Sequence, residues 1–273
     1  MRLRSIALLP MKWKVQLDNH HIIETGTNAL MTYHEQSHAH IITFVIEAQA
    51  QLTYFFVPQH ENLQLHFKFF LKRESVLHFY AAITQSAANI TCEYILEEEG
   101  AHVFVRGLYA LCADQKIEIK TIQDHKAAFT SSDLVIKGIL SGASYASYES
   151  MIHIAKQAHH TVARQQNKTI VLSKHARGES KPQLQVENNE VQCAHGSAVG
   201  QIDEQQLLYM QSRGINLAHA QQLLVRSFLS EILDGFGTDM LPTIQKRLDI
   251  VCRDKCQSEN AHLKLRHHIA PLI

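Results

Sequence analysis

The sequence predicts a mainly β chain that ends in a small helical subdomain, and it favours a flattened parallel β-helix over an antiparallel sandwich. Three observations support this. Apolar and polar residues alternate from about residue 22 to residue 186, which is the period of half-buried strands. The apolar runs recur about every 13 to 15 residues, the scale of one strand and its bend in a solenoid. After Gly200 the apolar period becomes helical.

The strand pattern is clearest where Leu65, Phe67 and Phe69 alternate with polar residues. Small or turn-like residues precede the apolar runs: Ala50, Ser75, Ala88, Gly100, Ala101, Gln115, Ala128, Ala143 and Ala158. In a parallel β-helix each coil buries its inward side chains against the next coil. A sandwich with the same strand spacing stays open at this stage, although no Asn-Gly or Asp-Gly hairpin dipeptide lies between the strands.

The helical pattern after Gly200 predicts three helices. Asp203 and Asn216 are expected to cap the first two, and Gly214 to stop the first. The apolar residues of the second helix include a row spaced by four: Leu224, Phe228 and Ile232. The third is expected to run through Leu241, Ile244, Leu248 and Val251.

These periods divide the chain into three parts. We expect a short lead-in over residues 1–22, a β-helix core over residues 23–200, and a helical subdomain over residues 201–273. The helices can be interpreted simply as a cap over the end of the solenoid, since exposed strand edges have to be covered.

Composition excludes several classes of function. The 26 basic and 26 acidic residues balance, so no basic field is available for nucleic acid or an anionic membrane. No apolar run reaches the length of about 18 residues that a membrane-spanning helix needs. The five cysteines are an odd number at irregular spacing, which disfavours a disulfide framework and fits a reducing compartment. We therefore expect a cytoplasmic protein.

The segment from Ser180 to Glu231 carries the most specific signal. It contains K-P-Q-L-Q-V, then V-Q-C-A-H-G, then L-L-Y-M-Q-S-R-G-I, and it closely resembles the SufB/SufD family, with SufD as the nearer branch. The matching residues, in order, are Lys181, Pro182, Leu184, Cys193, His195, Gly196, Gly200, Asp203, Leu207, Tyr209, Ser212, Arg213, Gly214 and Ile215. The resemblance covers about residues 40 to 250, and residues 165–168 lack the cysteine that SufB relatives carry one coil earlier.

The resemblance implies a right-handed parallel β-helix followed by a helical subdomain. It also implies a scaffold subunit, not an enzyme, that pairs with a SufB-like subunit through its β-helix. A SufC-like ABC ATPase would dock on the C-terminal helices, with Leu224, Phe228 and Ile232 as docking candidates. The chain has no glycine-rich phosphate loop, so we expect any nucleotide to be bound by the ATPase. The expected cargo is transient iron or a nascent Fe–S cluster at a subunit interface.

Cys193 and His195 are the candidate ligands for that cargo. On a strand they point to the same face, and thiolate and imidazole are ligand types that suit iron and Fe–S species. The alternative is that Cys193 packs as a small apolar group and His195 hydrogen-bonds near a turn at Gly196. The other motif residues are expected to be structural: Pro182, Gly196, Gly200, Asp203, Tyr209, Arg213 and Gly214, with Arg213 and Gly214 as a helix stop.

Weaker candidate metal sites are His38 with His40, and Cys252 with Cys256 and either His262 or His267. Two alternative functions are also considered. One is a self-associating β-helix that binds metal as a homodimer without a SufB partner. The other is a β-helix enzyme acting on polysaccharide, which the lack of paired carboxylates and of an export signal disfavours.

Overall fold

Fourteen strands are formed by the part of the chain that the computed structural model describes, residues 20–32, 41–59, 62–84 and 88–252. The strands are β1 (His20–Ile23), β2 (Asn28–Thr32), β3 (Ile41–Ile46), β4 (Gln51–Phe56), β5 (Leu63–Leu71), β6 (Val76–Ile83), β7 (Ala88–Leu96), β8 (His102–Leu111), β9 (Lys116–His125), β10 (Ser131–Leu140), β11 (Tyr145–Ile154), β12 (Val162–Val171), β13 (Arg177–Val186) and β14 (Gln192–Gly200).

Successive strands alternate between two seven-stranded sheets. The odd sheet runs β1-β3-β5-β7-β9-β11-β13, and the even sheet runs β14-β12-β10-β8-β6-β4-β2. Within the described residues every strand pair is parallel, and each strand pairs with the next strand but one along the chain. Each coil therefore contributes one strand to each sheet. The predicted parallel β-helix is confirmed, and the antiparallel sandwich is excluded.

The bends between strands are short and use one residue in the left-handed region. Gly100 and Gly142 occupy this position at two bends (φ 72° and 63°), while Glu74 and Ala113 occupy it at two others (φ 53° and 51°). The left-handed conformation costs a residue with a Cβ about 1 kcal/mol. The chain tolerates this cost because backbone hydrogen bonds from coil to coil hold each bend, as from the Glu74 N–H to the Glu99 carbonyl (2.9 Å).

The interior of the first coils is aromatic. In the odd sheet Phe44 stacks on Phe69 (ring centroids 4.9 Å apart), and Phe69 stacks on Tyr94 (5.6 Å). In the even sheet Tyr54 stacks on Phe79 (5.7 Å). Such offset contacts add to the free energy of burying the rings, so this half of the solenoid is held by a dry apolar core.

The interior of the later coils adds buried polar side chains to apolar ones. His125 is fully buried, and its ring nitrogens contact the Thr130 and Ser132 hydroxyls, each at 2.8 Å. Burial lowers the pKa of His125 from 6.5 to about 4, because charging the ring away from water is costly. Ser132 in turn donates to Gln123 Oε1 (2.6 Å). The composition of the core thus changes along the solenoid axis.

One glycine makes room for this polar core. Tyr109 reaches across Gly138 to hydrogen-bond Thr169 Oγ1 (2.6 Å), two coils further along the even sheet. A Cβ on Gly138 would lie 2.2 Å from the Tyr109 ring. Only glycine therefore allows the buried tyrosine to keep this path.

Three helices follow the last strand: α1 (Glu204–Ser212), α2 (Leu217–Leu233) and α3 (residues 241–252). The predicted caps are confirmed, since Asp203 Oδ1 accepts from the Gln205 N–H and Asn216 Oδ1 from the His219 N–H, each at 2.9 Å. Gly214 follows α1 with φ +85°, as expected for a helix stop. In the described residues, no helix has the length and apolar character needed to cross a lipid bilayer.

Helix α2 packs on the outer face of the even sheet. Val225, Leu229 and Ile232 are buried in one apolar cluster with outward residues of that sheet, which include Leu108 and Val135. Lys137 of β10 also binds α2, because its Nζ donates to the Phe228 carbonyl (2.8 Å) and to Glu231 Oε2 (2.9 Å). Lys137 lowers the pKa of Glu231 through this contact. The helical subdomain and the β-helix therefore share a core.

Candidate functional site

The last coil of the β-helix, β13 with β14, is open on one side. Each of these strands ends its sheet and pairs with a single neighbour, β13 with β11 and β14 with β12. Their outer edges carry backbone groups that another strand could pair with. Within the described part of the chain, the inward side chains of this coil therefore have no further coil above them.

Cys193 and His195 lie on the inward face of β14. They are in register with Ala163 and Gln165 of β12, which are both buried inside the solenoid. Because the coil above is missing, Cys193 is only half-buried and His195 is exposed. The sequence placed the two side chains on one face, and the structure places that face at the open end of the stack.

The environment of Cys193 favours its neutral thiol. Cys193 packs against a small apolar cluster formed by Ile152, Ile154, Ala158 and Ala163. Burial raises the pKa of the Cys193 thiol, because the thiolate loses hydration there. Binding a cation would reverse this preference, since metals take the thiolate and release its proton.

This chain provides two soft ligands and no complete metal site in the described residues. There, no group of three His, Cys, Asp or Glu side chains is placed to hold a metal ion. Fe–S clusters are typically held by four protein ligands, twice the number that Cys193 and His195 could supply. The remaining ligands would have to come from sulfide or from another chain that covers the open coil.

The open coil has an apolar rim. Leu184 and Val186 of β13 are 45% and 40% exposed, and Val199 of β14 is 43% exposed. The alternation of Leu184 and Val186 predicts a buried face, but both side chains are exposed because no coil formed by residues 20–32, 41–59, 62–84 or 88–252 covers β13. Exposed apolar groups beside free strand edges are typical of a surface that another chain covers.

The other motif residues of the last coil are placed as follows. Pro182 lies on the inward face of β13, level with Ser150 of β11, and proline is tolerated there because β13 is an edge strand. Gly196 and Gly200 lie on the outer face of β14, where an added Cβ would meet nothing within 4 Å. Ala194 and Ala198 lie on the same outer face, so the side chains on this face of β14 are all small or absent.

The polar floor beneath His195 was missed by sequence reasoning. Gln165 Nε2 donates to the Tyr148 hydroxyl (3.1 Å), which is 2.8 Å from Thr121 Oγ1. The sequence drew attention to residues 165–168 only because a cysteine is lacking there. No local signal identifies Gln165, since its importance comes from register with β14.

The proposed docking residues of α2 separate into two groups. Leu224 and Phe228 are partly exposed, but Ile232 is fully buried against the even sheet. Ile232 therefore packs α2 onto the β-helix and offers no surface to a partner in this arrangement. The spacing by four could not reveal this, because the sequence does not show which members of the row pack against the sheet and against α3.

Other apolar residues of the helices are exposed. Leu208 and Tyr209 of α1, Leu223 of α2 and Ile250 of α3 all face solvent, and Arg213 lies over the Tyr209 ring at 5.2 Å. The motif residue Tyr209 is thus part of an exposed helical surface. Helix α1 buries none of its residues.

Several weaker candidates lie outside the described residues, namely His38, His40, Cys256, His262 and His267. Cys252 is described and is buried in the core between the helices and the even sheet.

Comparison with known proteins shows the family to which most of the chain is similar. Residues 13–228 match the family "SUF system FeS cluster assembly, SufBD core domain". The iron–sulfur cluster assembly protein SufD of Escherichia coli is 30% identical over 158 residues, which cover 56% of this chain and 37% of SufD. A SufBD family protein of Mycobacterium leprae is 28% identical over 224 residues, 78% of this chain and 56% of that protein. The chain thus spans about half the length, or less, of these relatives.

Proposed function

The chain belongs to the SufBD family of the SUF iron–sulfur cluster assembly system, and we propose that it is a SufD-like scaffold subunit without catalytic activity of its own. It pairs with a SufB-like subunit, docks a SufC-like ATPase, and works in the cytoplasm. One observation carries the proposal. Cys193 and His195 sit on the inward face of a terminal strand whose edge is free.

The β-helix end is the surface for the SufB-like subunit. The free edges of β13 and β14 can pair with strands of a second chain, and the rim of Leu184, Val186 and Val199 would be buried in the process. Closure of a second chain over the end would also exclude water from Cys193 and His195. The cargo, iron or a nascent Fe–S cluster, is then held at the interface, with the partner or sulfide supplying the other ligands.

The exposed helical surface is the docking site for the ATPase. Arg226, Asp249 and Ile250 line a groove of about 470 Å³, and Leu223 is a further exposed apolar residue of α2. Arg226 and Asp249 pair across α2 and α3 at 3.1 Å. These residues replace the buried Ile232 as the expected contacts, beside Leu224 and Phe228. The ATPase binds the nucleotide.

The test of the cluster site is purification of the complex followed by anaerobic iron and sulfide analysis. His195→Ala is expected to remove most of the iron and sulfide from the complex. The matched control is His175→Ala, which changes an exposed histidine in the bend before β13. Equal iron and sulfide in both variants would refute the cluster site.

The test of the pairing surface uses a charge on each side of β13. Val186→Asp places a carboxylate on the inward rim and is expected to abolish capture of the SufB-like subunit. Gln183→Asp places the same charge on the exposed outer face of the strand and is expected to preserve capture. Loss of capture in both variants, or in neither, would contradict pairing through the open coil.

The self-associating alternative uses the same open coil. A size determination of the chain alone and mixed with the SufB-like subunit separates the two proposals. A mixed complex that forms at the expense of any homodimer supports the scaffold function. A homodimer that the SufB-like subunit leaves unchanged supports the alternative.

A further inference from the structure

The floor of the open coil contains a buried acceptor that nothing uses. Gln165 is 4% exposed, and its Oε1 has no hydrogen-bond partner among the described residues. A buried polar atom left unpaired costs about 1 to 3 kcal/mol. Such an atom calls for an explanation in the working state of the protein, because most buried polar groups are paired.

The orientation of the Gln165 amide is fixed from below. Its Nε2 donates to the Tyr148 hydroxyl at 3.1 Å. That hydroxyl is 2.8 Å from Thr121 Oγ1, to which it is free to donate its own proton. With Nε2 engaged in this chain of hydrogen bonds, the carbonyl oxygen is the part of the amide that remains available.

Strand register places Gln165 directly beside His195 on neighbouring strands of the even sheet. Gln165 of β12 is directly paired with His195 of β14, and Tyr148 of β11 with Ser180 of β13. Gln165 and Tyr148 meet across the interior, so the next coil brings His195 and Ser180 to face each other in the same way. Serine replaces tyrosine there, and the shorter side chain leaves space beside the imidazole.

We propose that Gln165 is a positioning residue for His195, a role that rests on the proposed function of His195 as a ligand. In this role the His195 ring turns inward from its exposed position, and the Gln165 carbonyl then accepts a hydrogen bond from one ring N–H of His195. The imidazole is thereby held in one tautomer, and the lone pair of its other nitrogen is directed to the open end of the coil, where iron arrives. Metal-binding histidines almost always donate their second N–H to a carboxylate, carbonyl or water in this way.

Ring-nitrogen NMR of the full chain tests the tautomer without any metal or partner. Spectra of ¹⁵N-histidine-labelled protein are recorded at about pH 9, where an ordinary imidazole is neutral, and a His195→Gln variant assigns the signals. One tautomer is expected for His195 in the unmodified chain. A mixture of both tautomers there would overturn the proposal by itself.

Substitutions at the floor identify the group responsible. Gln165→Met keeps the side-chain length, removes the acceptor and is expected to yield mixed tautomers. Gln165→Glu keeps an acceptor and is expected to preserve the single tautomer. Ser180→Ala removes a buried hydroxyl of the last coil that has no partner in the described residues, and it is expected to change nothing. Release of the tautomer by Ser180→Ala and not by Gln165→Met would refute the role of Gln165.

Iron and sulfide analysis of the purified complex separates this inference from the proposed function. Removing the group that a metal-binding histidine hydrogen-bonds through its second ring nitrogen typically weakens metal affinity about 10- to 100-fold. Gln165→Met is therefore expected to lower the iron content of the complex at limiting iron. The unfolding midpoint of the variant is the control for its stability. If His195→Ala has no effect, the proposed cluster site fails, while the NMR result still decides the role of Gln165. If His195→Ala abolishes iron binding and a folded Gln165→Met retains it fully, the positioning role is wrong.

Discussion

Replacing Ile232 with alanine is expected to destabilise the chain and to leave its docking surface intact. Ile232 is 0% exposed and lies in the cluster that joins α2 to the even sheet. Alanine removes three carbon atoms, worth about 2.4 kcal/mol at about 0.8 kcal/mol for each buried CH₂. A residual cavity raises the cost, and measured substitutions of this kind span about 2 to 5 kcal/mol. We expect a loss of about 3 kcal/mol in the free energy of unfolding.

Urea unfolding followed by circular dichroism measures this loss as a lower midpoint at an unchanged slope. Leu223→Ala is the matched control, because Leu223 lies on the same helix but is 39% exposed. It is expected to cost less than about 1 kcal/mol and to weaken capture of the ATPase. If Ile232→Ala lost the ATPase without losing stability, the assignment of Ile232 to the core would be refuted.

Two further perturbations test the interior of the β-helix. Gly138→Ala places a Cβ 2.2 Å from the Tyr109 ring and is expected to lower the free energy of unfolding by about 1 to 3 kcal/mol through overpacking. The control Gly196→Ala places its Cβ in open space and should leave stability unchanged. Equal urea midpoints for the two variants would contradict the packing around Gly138. The pKa of His125 is lowered from 6.5 to about 4 by burial, so the unfolded chain binds a proton in this window that the folded chain excludes. Stability is therefore expected to fall as pH drops from about 6.5 to about 4, with up to about 3 kcal/mol from this residue. His125→Gln should reduce that slope and His175→Gln should not, and an unchanged slope in His125→Gln would count against the buried neutral ring.

The strands and caps were predictable because their causes are local. Alternation at Leu65, Phe67 and Phe69 reflects a period of two that any strand with one buried face must have, and the structure buries all three. The caps at Asp203 and Asn216 depend on side chains that bond backbone groups two or three residues away. Neither signal needs knowledge of what the strand or helix packs against.

The same local pattern gave the wrong burial where the stack ends. Leu184 and Val186 alternate like core residues and are nevertheless about half-exposed. Ile232 belongs to the same row as Leu224 and Phe228 but is buried, because α2 lies flat on the even sheet. Burial at these positions depends on whether a neighbouring coil or sheet is present, which no period in the sequence records.

Local patterns in the sequence were enough to predict a repeating strand unit, three helices with the caps of the first two, and a thiol and an imidazole on one side of a strand near residue 194. They were enough because propensity, capping and side-chain alternation act over a few residues. Only the tertiary structure decided that this strand is the last of its sheet and that Gln165 lies beneath His195. Those facts follow from the register between strands that lie about 30 residues apart in the chain. Hydrogen bonds from coil to coil set which side chains meet there, and local preference does not.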